Sequence, residues 1–465
     1  MPVLLPTDIL FLSMLLGLVV LVFYTVRQEH LRRPWRAVMR SRSAMISLVI
    51  LLAYLLIAVL DSIRIPVSPN GHVNSSSAPI GEPVTLLDFG LGGIRDGQER
   101  TYSAPLAVVA HAREMTRQPD GREVWSYPRL EFGGRHLANP EHDHAGDLSR
   151  RAVSGLLIGF AGWALVVGLM ILVLASRRRS NMIGFVRLAW RGETELPWRA
   201  IALTLLMISL IAGVVSELSH EYHVLGTGKV GEDVFYQSLK SIRTGVLIGT
   251  LTTVATLPLA LTLGILAGYY RGWVDDVIQY LYTTLNSVPG VLLIAAAMLV
   301  MQSHMARHEA EFASLATRAD FRLLALCLIL GMTSWTGLCR LLRAETLKLR
   351  ELEYVQAARV LGVSQGMILL RHILPNLFHL VLISVALDFS SLVLAEAVLS
   401  YVNIGVDPST ESWGNMINGA RLEMAREPVV WWSLASAFVF MFALVLPANL
   451  FADAVRDAFD PRCPE

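Results

Sequence analysis

The stretch EYVQAARVLGVSQGMILLRHILPN, residues 353–376, interrupts a largely apolar chain with charge, small residues, a glycine and a proline. On a helix, Tyr354, Ala357, Ala358 and Leu361 fall at i, i+3, i+4 and i+7 and share one face, while Glu353, Gln356 and Arg359 point elsewhere. That face is narrow, and two alanines form its centre. A helix meant for lipid presents bulky Leu, Phe or Trp there, whereas alanines let another protein surface approach the backbone. Gly362 permits a sharp exit, and Ser364 is placed to N-cap MILLRHIL. Pro375 ends that stretch or opens the next one. Periodicity alone fits a connecting loop with an interfacial helix and no partner equally well.

Outward from the hairpin the chain is greasy: 465 residues, 54% hydrophobic, 17% charged, mean hydropathy +0.52. The apolar excess falls in runs of about 20 residues, one crossing of a ~30 Å hydrocarbon core. Such runs lie near 5–26, 44–63, 153–175, 198–218, 243–269, 277–302, 321–343, 377–400 and 429–453. The pattern predicts an all-α polytopic helical bundle of about nine transmembrane helices in a lipid bilayer. A net charge of +1 offers no global field for nucleic acid. Cys327, Cys339 and Cys463 show no framework or zinc spacing, so neither a disulfide scaffold nor a metal site is expected.

Charge matters by position. The first apolar run has its arginines after it, which suits a retained helix with its N-terminus outside. Arg27, Arg32, Arg33, Arg36, Arg40 and Arg42 follow span one, and Arg177, Arg178, Arg179, Arg187 and Arg191 follow span three. The hairpin region carries Arg340, Arg343, Lys348, Arg350, Arg359 and Arg371. Alternating helices put all three sets on one side, and the positive-inside rule makes that side cytoplasmic. Residues 65–152 then lie outside as a small, partly ordered insertion. Within it, His136, Glu141, His142, Asp143 and His144 match no closed zinc pattern and read as a solvated loop. Asn74-Ser75-Ser76 fits a glycosylation acceptor, a tripeptide common by chance.

The run Glu353-Tyr354-Val355-Gln356-Ala357-Ala358-Arg359, then Leu361-Gly362, then Arg371-His372-Ile373-Leu374-Pro375-Asn376 resembles the EAA loop of ABC importer permeases. It is most like that of the second permease subunit of dipeptide and oligopeptide importers. Gln356 stands where that motif usually has Glu. Three further segments agree. HVLGTGKVGEDVF resembles the family's external segment through Leu225, Gly226, Thr227, Gly231, Asp233 and Val234, with Gly228 and Glu232 departing from its Asp and Arg. RGWVDDVIQYLYTTLNSVPGVLL, through Pro289, resembles its loop and next span. LAEAVLSYVNIGVDPSTESWGNM resembles the late external segment, with Glu396, Leu399, Ser400, Gly405, Pro408, Ser412, Trp413 and Gly414 in place.

The resemblance covers roughly 220–455 and implies a type I importer core at 198–465 with its EAA loop at 344–376. The rest reads as two added helices (1–64), the insertion (65–152), and a third helix with a cytoplasmic linker (153–197). It implies a subunit of the bacterial inner membrane, C-terminus and EAA loop cytoplasmic. The loop carries a coupling helix (Glu353, Tyr354, Gln356, Ala357, Ala358, Arg359, Leu361, Gly362) that docks on a separate ATPase subunit. The implied partners are a second permease forming a heterodimer, two ABC ATPases and a periplasmic solute-binding protein. The cargo is a di- or oligopeptide, or in the same architecture a nickel chelate or opine.

Asp388 sits mid-span in LISVALDFSSLVLAEAV, and Glu396 lies eight residues on, roughly the same face. A carboxylate at a helix centre costs roughly 2.5–3.5 kcal/mol on insertion scales and should avoid lipid. Asp388, Ser390 and Ser391 either line a translocation path or make a helix–helix polar contact, and Glu396 suits gating or shape. Pro258, Pro289 and Pro447 sit in apolar runs and are expected to kink them. No G-x-x-x-x-G-K-[ST] loop occurs, so the chain should hold no cofactor, with ATP and Mg on the partner ATPases. A proton-coupled secondary transporter using Asp388 and Glu396 is the competing reading, and no internal duplication supports it. An enzyme is disfavoured by the absence of H-E-x-x-H and G-x-S-x-G.

Overall fold

The computed structural model describes residues 5–27, 29–65, 84–95, 97–117, 123–178, 196–309, 312 and 314–459. Asn74-Ser75-Ser76, Arg179, Arg187, Arg191 and Cys463 lie outside them. The apolar runs and several polar segments fold as helices: α1 (Pro6–Arg27), α2 (Glu29–Arg40), α3 (Arg42–Ser62), α4 (Leu86–Arg95), α5 (Pro140–Arg178), α6 (Trp198–Ser219) and α7 (Val234–Tyr270). There follow α8 (Trp273–Ser287), α9 (Gly290–Arg307), α10 (Leu315–Leu349), α11 (Glu353–Val360), α12 (Gln365–Ile368), α13 (Leu374–Tyr401), α14 (Trp413–Glu423) and α15 (Trp432–Phe459). Among the described residues, strands are confined to two antiparallel pairs, β1 (Arg64–Ile65) with β2 (Val84–Thr85), and β3 (Glu114–Arg117) with β4 (Glu123–Ser126). Among the described residues eight helices are long and apolar enough to cross a membrane, and α1 adds a shorter apolar stretch. This is an all-α polytopic membrane protein.

Two compact units form. The first is built from Trp35–Thr244 and Glu411–Leu450, the second from Leu5–Pro34, Gly245–Thr410 and the chain from Phe451. In the first, α5 and α6 pair through small residues. A Cβ on Gly155 would lie 2.7 Å from the Gly213 carbonyl oxygen, and one on Gly159 would lie 2.5 Å from that of Ser209. With little hydrophobic drive between helices in lipid, such close approach and interhelical hydrogen bonds do the joining. Ser209 Oγ donates to the Gly159 carbonyl at 2.7 Å and Trp163 Nε1 to that of Ala202 at 2.9 Å. The other faces of α5 leave Leu157, Leu165 and Leu169 exposed, as lipid contact requires.

In the second unit, Gly264 and Gly268 set α7 against α10: a Cβ on Gly268 would meet Thr346 Cβ at 2.6 Å. A core of Tyr269, Ile278, Tyr282, Trp335, Leu338 and Leu342 continues into Val355, Ala358, Ile368 and Ile373 of the hairpin. The start of α1 is tied to α10, where Thr7 N–H donates to Asp320 Oδ2 at 3.2 Å.

Two expectations change, and an open one closes. The single span at 277–302 is two helices, because Val288 is extended and Pro289, lacking an N–H, caps α9 instead of continuing α8. Of the two readings of Pro375, the second holds: it sits in the first turn of α13. A π turn at Leu369–Ile373 carries α12 directly into α13, and its i→i+5 spacing absorbs the hydrogen bond that proline cannot donate. The histidine-rich segment is not a solvated loop. His142, Asp143 and His144 lie in the first turns of α5, while His136 pairs with Asp147 at 2.8 Å and Glu221 at 3.1 Å. Pro258 and Pro447 sit within α7 and α15, which continue through them.

Candidate functional site

The hairpin is fixed at its base by charge. Asp275 on α8 accepts two bonds from Arg343 on α10, at 2.5 and 2.7 Å, and this guanidinium holds its carboxyl below the usual range. Arg271 pairs with Glu351 at 2.7 Å, and Arg350 Nη1 donates to the Tyr269 carbonyl at 2.6 Å. The Tyr269 ring lies under Arg359 at 5.4 Å. Neither Asp275 nor Arg343 stood out in the sequence as a pair, because 68 residues separate them.

Helix α11 then turns Val355 and Ala358 inward; Val355 is wholly buried and Ala358 is 8% exposed. The expected four-residue outer face is therefore corrected. Ala358 packs on its own chain, and the outward surface is Tyr354, Ala357 and Leu361 joined by Val360, with Glu353, Gln356 and Arg359 beside them. Val360 and Leu361 are 87% and 82% exposed, which is costly for two such side chains in water. The exit is a Schellman turn: Val363 N–H donates to the Ala358 carbonyl and Gly362 N–H to that of Arg359, both at 3.1 Å. Gly362 holds φ +79°, a conformation that a side chain would strain. Ser364 takes the N-cap position of α12 without a side-chain cap bond. The departing Gln356 donates its Nε2 to the Glu351 carbonyl at 3.2 Å, just before the hairpin.

Asp388 stands at the middle of α13 and lines a pocket of about 50 Å³ with Thr253, Thr256, Ser334 and Ser391. Ser390 and Glu396 do not line it. Ser390 is 2% exposed, and Glu396 is buried where it accepts from Ser400 Oγ at 2.7 Å. Eight helical residues rotate about 80° beyond two full turns, enough to take Glu396 off the Asp388 face.

The external-type segments converge in the first unit. Gly226 and Gly231 adopt φ +73° and +78° and close a loop bridged at Thr227 and Asp233. Asp233 Oδ1 accepts from Tyr236 N–H at 3.0 Å as it caps α7, and its Oδ2 bonds His223 Nδ1 at 2.8 Å. Trp413 is buried and donates Nε1 to the Ser238 carbonyl at 3.1 Å, while Ser412 caps α14 ahead of Gly414. No local sequence signal marks that residues within 97–117 and 123–137 bind this loop. Ser103 N–H donates to Thr227 Oγ1 at 2.7 Å, and Gly134 N–H to the Glu221 carbonyl at 2.7 Å. Glu99 is 5% exposed, faces His223 Nε2 at 3.5 Å, and accepts three backbone N–H groups from 131–133. Burial opposes its charge, but His223 and those N–H groups hold its carboxyl down at about 2. Burial likewise opposes the imidazolium of His223, yet Asp233 and Glu99 raise it to about 9. A Cβ on Gly231 would strike the Glu99 carbonyl. Among the described residues no cluster of three or more His, Cys, Asp or Glu is arranged to hold a metal.

Residues 260–463 match the family described as binding-protein-dependent transport system inner membrane component. The glutathione transport system permease protein of Pectobacterium atrosepticum is 32% identical over 242 residues, 52% of this chain and 73% of that protein. The oligopeptide transport system permease protein of Mycobacterium tuberculosis is 32% identical over 239 residues, 51% and 76% of the two chains. The dipeptide transport system permease protein of Lactococcus lactis is 28% identical over 243 residues, 52% and 65%. The chain belongs to the binding-protein-dependent transport system inner membrane components, the permeases of ABC importers, of the dipeptide and oligopeptide type.

Proposed function

We propose that this permease imports di- or oligopeptides by pairing with a second permease subunit and receiving cargo from a periplasmic binding protein. Two ATPase subunits drive it through the 353–376 hairpin, which lies on the cytoplasmic side with the C-terminus. The supporting observation is the hairpin itself: rigid at the base through Asp275–Arg343 and Arg271–Glu351, yet carrying exposed Val360 and Leu361 at its tip. A rigid lever with an apolar tip transmits movement from whatever grips it. The chain hydrolyses no ATP of its own and needs no bound cofactor; ATP and Mg belong to the partner ATPases. Asp388 and Ser391 line the path, while Glu396, buried and bonded by Ser400, shapes it from behind. The insertion, held on the 220–234 loop by Glu99, serves the outer face where the binding protein docks.

Co-purification from detergent tests this. Wild type retains ATPase subunits, and Leu361→Glu or Val360→Glu reduces retention about tenfold or more, as for an interface hot spot. Equal retention by wild type and both variants overturns the assignment of the hairpin.

A further inference from the structure

Resting on the peptide-import reading, we propose that Asp388 with Thr253, Thr256, Ser334 and Ser391 forms a subsite for the ammonium group of passing cargo. The carboxylate lies at the centre of a membrane-spanning helix, and no hydrogen bond or ion pair from a described residue reaches it. Among the described residues no Lys, Arg or His lines the pocket. An ionised carboxylate left unpaired there is costly, so the site calls for a positive charge that is not part of this chain.

The hydroxyls specify what kind. Each carries one proton, and three of the four have already spent theirs on their own helix. Thr253 Oγ1 donates to the Gly249 carbonyl at 2.7 Å, Thr256 Oγ1 to that of Thr252 at 2.9 Å, and Ser391 Oγ to that of Asp388 at 2.8 Å. Their oxygens remain as acceptors. The pocket therefore offers one negative charge and a set of acceptors with a single uncommitted proton, on Ser334. A carboxylate or phosphate finds almost no donor there, whereas an ammonium with three N–H donors finds a full complement. Leu257, Leu338, Val385 and Leu392 supply apolar wall for the carbon next to that nitrogen. Ser334 and Ser391 are exposed, so the pocket opens to the surface of the chain. A free peptide N-terminus carries this group; an N-blocked peptide does not.

The test is carbodiimide labelling of membrane vesicles carrying the full-length chain, with mass mapping of the Asp388 peptide. Dicyclohexylcarbodiimide modifies carboxyls in apolar surroundings. Alaninamide, an ammonium without a carboxylate, should slow labelling about threefold at twice its dissociation constant. N-acetylalaninamide and sodium at the same concentration should leave the rate unchanged, and Asp388→Asn should remove the labelled site. Equal slowing by sodium would make this an inorganic-cation site, no slowing would make it a carboxyl that binds only protons, and no labelling would deny it access; each overturns the proposal. ATPase co-purification from the same vesicles separates the two levels. Lost association with intact protection sinks only the coupling reading, and intact association without protection sinks only this one.

Discussion

Replacing Glu99 by Ala removes a buried carboxylate that ties the insertion to the 220–234 loop through His223. Its Oε1 accepts from Phe132 and Gly133 N–H at 2.8 and 3.0 Å, and its Oε2 from Glu131 at 2.9 Å. Hydrogen bonds to a charged group contribute about 1.5–3 kcal/mol each, though not additively, and breaking a buried pair costs about 3–5 kcal/mol. A local loss of about 4 kcal/mol follows, roughly a thousandfold in amide exchange at 131–133. Hydrogen exchange with mass readout measures it directly. Glu99→Gln keeps one acceptor oxygen and should cost about 1–2 kcal/mol, roughly tenfold. The pH dependence has a definite sign. The His223 contribution is complete below its ordinary value of 6.5 and is lost as pH climbs through about 9. That of Glu99 is complete above 4.5 and is lost as pH falls through about 2. Protection should therefore be greatest between about 4.5 and 6.5, weaken on the alkaline side, and lose much of that slope in Glu99→Gln. Unchanged exchange at 131–133 in Glu99→Ala would refute the reasoning.

Two further substitutions test the two units separately. Gly268→Val drives a side chain into Thr346 and should lower the melting temperature of the purified chain, at a cost of about 1–3 kcal/mol. Glu411→Gln acts on a carboxyl that burial, with Glu232 and Asp61 adding and Lys240 opposing, raises from 4.5 to about 7. Because the folded state holds that proton longer, wild-type stability should fall as pH rises from about 4.5 to about 7. The glutamine variant should be more stable at pH 8 by up to about 3 kcal/mol and equal at pH 4, as read from thermal unfolding.

The hairpin was legible because its signals are local: a helical period, a glycine at the exit and a proline downstream. Glycine at 226, 231 and 362 likewise permits the positive φ found there. What hid was set by long-range contact. Alanine at 358 looks like an outward seat for a partner, and only the core built by Tyr269, Ile278 and Trp335 turns it inward. The apolar run at 277–302 reads as one span because hydropathy is blind to the extended Val288 before Pro289. Glu99 looks like one surface charge among many until His223, far along the chain, is brought to it. Asp388 was visible as an odd charge in a span, but the spent protons of Thr253 and Thr256 are a property of the folded helix.

Movement of this permease by ATP through its 353–376 hairpin is open to direct measurement. Uptake of labelled peptide into vesicles carrying the assembled importer tests it most directly, with ATP inside the energised compartment and the proton gradient collapsed by an ionophore. Uptake should persist in wild type and drop to background in Leu361→Glu. Uptake that survives without any ATPase subunit and disappears with the proton gradient would contradict movement by ATP.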